Sequence, residues 1–497
     1  MATVAPEPSV LSTRRGKLTL TLLCAVAFLD FVDASIVNLA LPSIRHALHF
    51  SVQGLQWVPS GYLLTYGGFM LLGGRAADLL GRRRILVAGT LVIGVSSLVG
   101  GFAGSAGVLV GARLAQGLGA AMMLPAALSL LTTTFKEGND RHTAIGAWGA
   151  VGGLAAAAGV LLGGLLTAGP GWRWVMFVNP LACVLVLAGI FRLISGERRR
   201  APLQHFDLLG AVLATGGMLL LVYALVKAPT VGWSDAGTIG ELAGALTLLA
   251  AFMLNELRHR NPLVPLSIFR INGLGFSDAT QLTTFAGFLA IFFFLTLYMQ
   301  NVLGYSPIRT GIAYLPLTFA TVIAAGISSQ LLSRIGTRPV IVAGSLIAAG
   351  GVFWLSRIPV HGTFLPDLLP GMLLVAIGTG PVFVGVTTAA NAGVPADKAG
   401  LAASLLNASQ QLGGALGLAI FSALATSRTH HLLAMHTSPP QALVAGFQRA
   451  LLAGSIFLLA AAFIALRATN TRGEPDQAAP ETPADATKRP VAVRADD

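Results

Sequence analysis

Leu29-Asp30-Phe31-Val32-Asp33-Ala34-Ser35-Ile36-Val37-Asn38-Leu39-Ala40-Leu41-Pro42 sets two carboxylates in the second half of an apolar segment running from about residue 18 to 41. A bilayer core is crossed by about 20 apolar residues, so this segment is long enough to span one. At about 1.5 Å per residue, Asp30 stands roughly 18 Å and Asp33 roughly 22 Å from its start. Three residues apart, the two acids share a helix face. A charge at that depth costs at least ~2.5–3.5 kcal/mol on insertion scales, which makes an intramembrane acid a functional-site hypothesis by default.

Outward from that stretch, the chain has 497 residues, 54% hydrophobic and only 10% charged. Soluble domains carry about 25% charged residues, so a soluble enzyme is excluded and an all-α polytopic membrane protein is expected. Hydropathy gives fourteen spans: about 18–41, 55–74, 85–104, 107–131, 143–167, 174–194, 207–227, 238–256, 275–299, 310–332, 339–358, 367–389, 400–424 and 446–467. The net charge of +12 raises the question of nucleic acid. Its distribution answers otherwise. With the N-terminus inside, 24 of the 32 Lys and Arg residues fall in the tails and inner turns, seven in outer turns, and Arg113 within a span. That bias follows the positive-inside rule and puts both termini in the cytoplasm.

The first span resembles a signal peptide, with Arg14, Arg15 and Lys17 ahead of it, but the apolar run is too long and no small-residue cleavage site follows. A retained first helix is expected. Cys24 and Cys183 fall inside spans and read as small core residues, not a disulfide. Residues 1–16 are a polar tail, and residues 468–497, rich in Ala, Pro, Asp and Glu, are expected to be disordered. The longer connections are expected at about 195–206, 257–274 and 425–445, and no external domain has room to fold.

An internal repeat is visible. Gly74-Arg75-Ala76-Ala77-Asp78-Leu79-Leu80-Gly81-Arg82-Arg83-Arg84 follows span 2, and a reduced version, Ser333-Arg334-Ile335-Gly336-Thr337-Arg338-Pro339, follows span 10. Span 5 carries Gly159, Gly163 and Gly164, and span 13 carries Gly413, Gly414 and Gly417. Both pairs are eight spans apart. Two six-helix halves with two spans inserted between them account for that offset: residues 17–200, 201–262 and 263–467. Parallel repeats of this kind place a substrate site at the midplane between halves that rock against each other.

These motifs, in this order, resemble the fourteen-span drug:proton antiporters of the major facilitator superfamily, the multidrug-resistance exporter type. The opening stretch is similar to that family's first-helix signature, and Gly74 to Arg84 to its turn between helices 2 and 3. Arg113-Leu114-Ala115-Gln116-Gly117, continuing to Pro125, resembles its helix 4. Trp172-Arg173-Trp174 with Phe177 and Asn179-Pro180 resembles the start of helix 6. Leu297-Tyr298-Met299-Gln300, Gly304-Tyr305-Ser306-Pro307, Gly311 and Leu315-Pro316 resemble helices 9 to 10. The resemblance covers nearly the whole chain and implies the major facilitator fold, with fourteen transmembrane helices as 6+2+6. It implies a cavity lined by spans 1, 2, 4 and 5 and their counterparts 9, 10, 12 and 13. Departures are Leu79, where the family usually has a basic residue, and Val160, where its antiporter motif has proline; the missing proline removes a bend expected for strict antiport.

Within that frame Asp33 aligns with the family's first-helix carboxylate, and Asp30 is extra. Arg113 cannot deprotonate, so buried it needs an anion or several carbonyls. Asp33 or Asp30 is its expected partner, because helices 1 and 4 meet in this fold, and Gln116 shares its face. An ion pair favours a charged carboxylate, and burial without one favours the neutral acid; alternation between the two would load and release a proton. Asp33, Asp30 and Arg113 are therefore the proton-coupling candidates, with a purely structural Arg113 the alternative. Gly74, Asp78, Gly81, Arg82, Arg83 and Arg84 form a conformational latch or a topology determinant only. Gly159, Gly163 and Gly164 allow close helix contact.

For the substrate cavity the candidates are Asn38, Gln116, Phe285, Phe288, Phe292, Tyr298 and Gln300. Phe285, Phe288 and Phe292 form one stripe of span 9 able to give cation–π contact; at least half of that span's rings are expected to face lipid. Asn38 either lines the cavity or bridges helices. Asp278, near the start of span 9, is expected to be solvated, and Glu241 to be interfacial. Pro125, Pro316 and Pro381 lie within spans, as bend points or fixed kinks. His430, His431 and His436 lack cysteine or carboxylate companions, and no metal is expected.

No phosphate-loop motif is present, so no cofactor is expected and the energy source would be the proton gradient. The expected function is proton-coupled export of lipophilic or cationic drugs or antibiotics across the cell membrane by alternating access, with lipid, protons and a small molecule as partners, no nucleic acid, and a monomer as the working unit. The alternatives are a dedicated exporter of one metabolite or antibiotic, and a proton symporter. A membrane glycosyltransferase is remote, because the first outer loop, about residues 42–54, contains no Asp or Glu.

Overall fold

The computed structural model describes residues 10–135, 139–195, 207–259, 262, 264, 268–269, 271, 273–392, 394 and 399–472. Within them fourteen long helices follow one another: α1 (Arg14–Leu48), α2 (Trp57–Leu80), α3 (Arg82–Gly101), α4 (Ala106–Thr134), α5 (Asn139–Ala168), α6 (Arg173–Leu193), α7 (Leu208–Val231), α8 (Ala236–Arg258), α9 (Leu274–Asn301), α10 (Pro307–Ile335), α11 (Thr337–Leu355), α12 (Leu369–Asn391), α13 (Ala399–Ala434) and α14 (Pro439–Ala465). Twelve are long and apolar enough to cross a membrane. The other two, α2 and α5, lie at the joint between the halves. The α13–α14 connection, expected to be long, is short because both helices extend into it.

Local chemistry sets the boundaries. Side chains of Thr13, Ser105, Asp207, Asp235 and Ser306 accept from backbone N–H groups in the first turns of α1, α4, α7, α8 and α10, satisfying donors a helix start otherwise leaves orphaned. The α2–α3 and α10–α11 turns are each made by one glycine in a left-handed conformation, Gly81 (φ 103°) and Gly336 (φ 87°), which side chains rarely adopt. These are the two corresponding positions of the sequence repeat.

The repeat extends to packing. In the first half α2 packs on α4, α3 on α4 and α6, and α1 on α5 and α6. In the second half α10 packs on α12, α11 on α12 and α14, and α9 on α13 and α14. Each pair maps onto its counterpart by the offset of eight. The halves meet along α2–α13 and α5–α10, a pair of seams that the repeat also exchanges. The inserted α7 lies over the first seam, touching α2 and α13, and α8 packs on α7. Lys227 and Glu241 join α7 to α8 by an ion pair of 2.6 Å.

The odd helices start, and α14 ends, at the terminal end of the bundle; the opposite end is called distal. At the distal end one apolar core is shared by both halves, including Leu39 and Ile44 of α1, Phe294 and Leu297 of α9 and Leu355 of α11. Toward the terminal end it divides. One cluster holds first-half residues with Ala415 and Ala419 of α13, and a separate one holds second-half residues such as Ile341 and Leu405. The apolar core is thus common to both halves distally and divided terminally, where contact between them narrows to the α2–α13 seam.

Residues 468–472, expected in the disordered tail, dock on the α10–α11 turn. Thr337 donates to the Thr469 carbonyl at 2.6 Å and Arg338 to that of Ala468 at 3.1 Å. Residues 473–497 and 1–9 lie outside the described residues.

Close approach explains the glycines of α5. A Cβ on Gly163 would stand 2.5 Å from the Ile36 carbonyl oxygen of α1, and one on Gly164 2.9 Å from that of Pro307 in α10. A Cβ on Gly159 would meet the Ser35 hydroxyl. Backbone must therefore move to admit a methyl group at Gly163, and overpacking of this kind costs about 1–3 kcal/mol. Gly163→Ala is expected to lower the melting temperature of the purified protein, whereas Gly111→Ala, with open space around it, leaves it unchanged or raises it slightly. Equal behaviour of the two variants would overturn this account of the α1–α5 contact.

Candidate functional site

Asp30, Asp33 and Arg113 are all at most 2% exposed, deep between α1, α2 and α4. The Arg113 Nη1 donates to Asp33 Oδ2 and to Gln116 Oε1, both at 2.8 Å, and its Nε donates to the Val58 carbonyl at 3.0 Å. The guanidinium carbon lies 4.4 Å from the centre of the Tyr62 ring. The other Asp33 oxygen accepts from Asn179 Nδ2 of α6 at 2.5 Å, and Ser97 of α3 accepts from Gln116 at 2.5 Å. A buried pair is held only when its remaining lone pairs and protons also find partners, and here five helices or their flanks contribute them. The result ties α1, α3, α4 and α6 together around a pair of zero net charge.

Asp30, one turn nearer the terminal end, has no cation bonded to it. Its two oxygens accept from the hydroxyls of Tyr62 and Tyr66, each at 3.0 Å. The two rings, four residues apart on α2, meet edge to face at 5.5 Å. The residue after Tyr66 on α2, Gly67, packs against Gln411 of α13, whose Cβ would stand 3.0 Å from a Cβ placed there, so the tyrosine pair lies beside the α2–α13 seam. A tyrosine hydroxyl both donates and accepts. This pair can therefore satisfy Asp30 with or without a proton on it.

Several cavity candidates stand elsewhere. Gln116 is wholly buried in the Arg113 network. Tyr298 is wholly buried and donates to the Pro359 carbonyl at 2.6 Å, so it seals the distal core. Gln300 donates across the halves to the Leu39 carbonyl at 3.0 Å, another distal contact. Asn38 is buried and bonds the Ala34 carbonyl of its own helix at 3.3 Å. Gln116 is thus held inside the first bundle and Asn38 against its own helix, while Tyr298 and Gln300 belong to the distal closure, which sequence position alone does not report.

Phe285, Phe288 and Phe292 remain. They are half-buried and form a chain of rings with α12 and α10: Phe288 lies 5.4 Å from Phe383, and Phe292 stacks on Tyr314 at 5.1 Å. Of the seven α9 aromatic rings only Phe276, in the first turn, is exposed, contrary to the expectation that at least half face lipid, because α10, α12, α13 and α14 surround this helix. Asp278 is also buried rather than solvated, at 6% exposure.

In the α2–α3 turn, Gly74 approaches Pro125 of α4 and Ser404 of α13, Arg83 lies over the Phe191 ring at 5.3 Å, Arg82 is half-buried and Arg84 is exposed. The side chains of Asp78 and Leu79 lie outside the described residues.

Tyr62, Tyr66, Ser97, Asn179 and Gln411 were not singled out from sequence as site residues. The available signal was the four-residue spacing of two tyrosines on one face of an apolar span, and the neutral partners carry none.

Two repeated six-helix bundles, closed at one end around a buried charged network, define a membrane transporter that works by alternating access. The chain belongs to the Major Facilitator Superfamily, whose model matches residues 23–418. It is 40% identical over 430 residues to the puromycin resistance protein pur8 of Streptomyces alboniger, covering 86% of this chain and 85% of that one. It is 36% identical over 455 residues to the cephamycin export protein CmcT of Amycolatopsis lactamdurans, covering 91% and 92%. In fold it matches a peptide transporter POT in complex with sulfate, with a TM-score of 0.63 at 16% identity, covering 89% of this chain and 94% of that one.

Proposed function

We propose that this protein exports lipophilic, often cationic, drugs or antibiotics across the cell membrane in exchange for protons, working as a monomer. One observation carries the coupling. Asp30 is a buried carboxylate with no ion pair among the described residues, held by two tyrosine hydroxyls beside the α2–α13 seam, in a chain whose relatives are named for antibiotic resistance and export. The distribution of Lys and Arg makes the terminal end cytoplasmic, so the shared distal core faces outward. Loading a proton from outside and a drug from inside at different times then requires the halves to rock about the α2–α13 and α5–α10 seams. The α2–α3 turn, with Gly74 close to α13, is placed to act as a latch on that motion. One proton moving inward across 100 mV supplies ~2.3 kcal/mol from the potential alone.

A second reading has support of its own. The cephamycin export protein is named for a single product, which favours a dedicated exporter of one compound on the same mechanism. Substrate breadth separates the two.

The test is a proteoliposome assay in which ethidium or a candidate antibiotic is added on one side and internal pH is followed. Substrate-evoked proton movement opposite to the substrate is expected. Substrate movement without any proton movement would remove the antiport reading; proton movement in the same direction would make the protein a symporter.

A further inference from the structure

We propose that Asp278 and Gln281, near the terminal end of α9, form a receiving site for the charged group of a lipophilic organic cation, with Phe285, Phe288 and Phe383 accepting its aromatic body. This rests on the exporter reading above and gives its cationic substrates a binding site.

The first observation is an unmatched acid. Asp278 is buried at 6% exposure, and neither of its carboxylate oxygens has a hydrogen-bond partner. No ion pair reaches it among the described residues. One turn deeper, Gln281 is 3% exposed; its amide nitrogen donates to Gln410 of α13 at 2.7 Å, and its oxygen is unpartnered. Three acceptor oxygens therefore stand without donors on neighbouring turns. Buried polar groups are normally hydrogen-bonded, and a buried charge is normally paired. What is missing here is a donor carrying positive charge.

The second observation is direction. Asp278, Gln281, Phe285, Phe288 and Phe292 recur every three or four residues and so occupy one face of α9. The opposite face is taken by α14, where Gly287 approaches the Gly454 carbonyl. The acid-bearing face is turned instead to α12, α13 and α10. Phe285 and Phe288 lie 6.3 and 5.4 Å from Phe383 of α12. Asp278 sits in the second turn of α9, at the end where the two apolar cores separate, and Phe285 is roughly 10 Å deeper along the axis. Along the axis from the terminal end the carboxylate comes first and the rings next; both carboxylate oxygens are buried in this structure, so a ligand reaches them only when α9 and its neighbours part.

The third observation is complementarity. The rings are half-buried and present π faces, which attract a cation and stack on aromatic ligands. A carboxylate near the terminal end of α9 and aromatic faces deeper along it match a monovalent cation on a flat or propeller-shaped aromatic skeleton. This site is separate from Asp30 and Asp33, which lie in the first bundle and have their partners.

The experiment measures equilibrium binding to the full-length protein in nanodiscs, with ethidium as the cationic probe and Nile red as an uncharged one. Asp278→Asn is isosteric and is expected to weaken ethidium binding at least ten-fold while Nile red binding stays within two-fold. Asp278→Glu is expected to recover most of the ethidium affinity. Phe288→Ala is expected to weaken both probes. An ethidium affinity unchanged in Asp278→Asn, equal losses for both probes, or no ethidium binding by the wild type would each overturn the proposal. So would intact ethidium binding with lost proton flux, which would make Asp278 a proton site. Asp278-dependent binding in a protein that moves no ethidium across proteoliposomes would keep the site and remove the exporter reading.

Discussion

Arg113→Ala is expected to abolish transport in proteoliposomes, by at least a hundred-fold, in a protein that still inserts. Among the described residues the guanidinium is the only cation bonded to Asp33, and it also satisfies Gln116 Oε1 and the Val58 carbonyl. Its removal leaves a buried carboxylate and two buried acceptors unmatched. Breaking a buried pair from one side costs about 3–5 kcal/mol, so the variant's melting temperature should fall as well. That fall would confuse a structural with a functional role, and a second variant separates them. In Asp33→Asn with Arg113→Ala no buried charge is left alone, so stability should largely return. Transport should not return if the pair holds α1 against α4 during the cycle. Arg113→Lys should retain little activity, because a single ammonium cannot reproduce the planar fork that reaches an acid, an amide and a carbonyl together. Transport near the wild-type rate in the double variant would reduce Arg113 to scaffolding.

The pairing of Arg113 with an acid of α1 was legible in the sequence because a charge inside an apolar run stands out. The two-half organisation was legible for a similar reason: the turns at Gly81 and Gly336 need a left-handed residue, and the chain marks both with glycine beside arginine. Depth and facing were harder. Tyr298 and Gln300 look like cavity residues in one dimension, but they belong to the distal closure, and which end is closed depends on how two bundles lean together. Asp278 looked solvated because it lies near the start of a span. Its burial comes from three helices of the second bundle that surround α9. The partners of Asp30 were illegible because tyrosines in a membrane helix have many uses, and only the placement of α2 against α1 brings Tyr62 and Tyr66 to the carboxylate.

Asp30→Asn is expected to uncouple the transporter rather than stop it. Charge counting makes the distinction. Asp33 and Arg113 cancel each other in a pair at 2.8 Å, so the network's net charge is that of Asp30: zero with a proton on it, minus one without. Gain or loss of a proton at Asp30 is thus the step that changes the electrostatics of the first bundle. The shift in charge falls beside the seam, because Tyr66, bonded to Asp30, is followed by Gly67, which packs against Gln411 of α13. An asparagine there keeps the shape and fixes the neutral state, and its amide can donate to either tyrosine hydroxyl. Substrate binding should stay within about three-fold of wild type, and exchange of labelled for unlabelled substrate should continue. Uphill accumulation driven by a pH gradient should fall at least ten-fold, since each pH unit is worth about 1.4 kcal/mol only to a protein that carries the proton. Asp33→Asn should behave differently: it strands the Arg113 guanidinium, and both exchange and uphill transport should fail. The sequence resemblance favours Asp33 as the proton carrier, whereas the geometry shifts that role to Asp30. The exchange assay decides between them. If Asp33→Asn preserves exchange and loses proton flux while Asp30→Asn keeps both, the carrier is Asp33, and the two tyrosines serve only to bury a polar side chain.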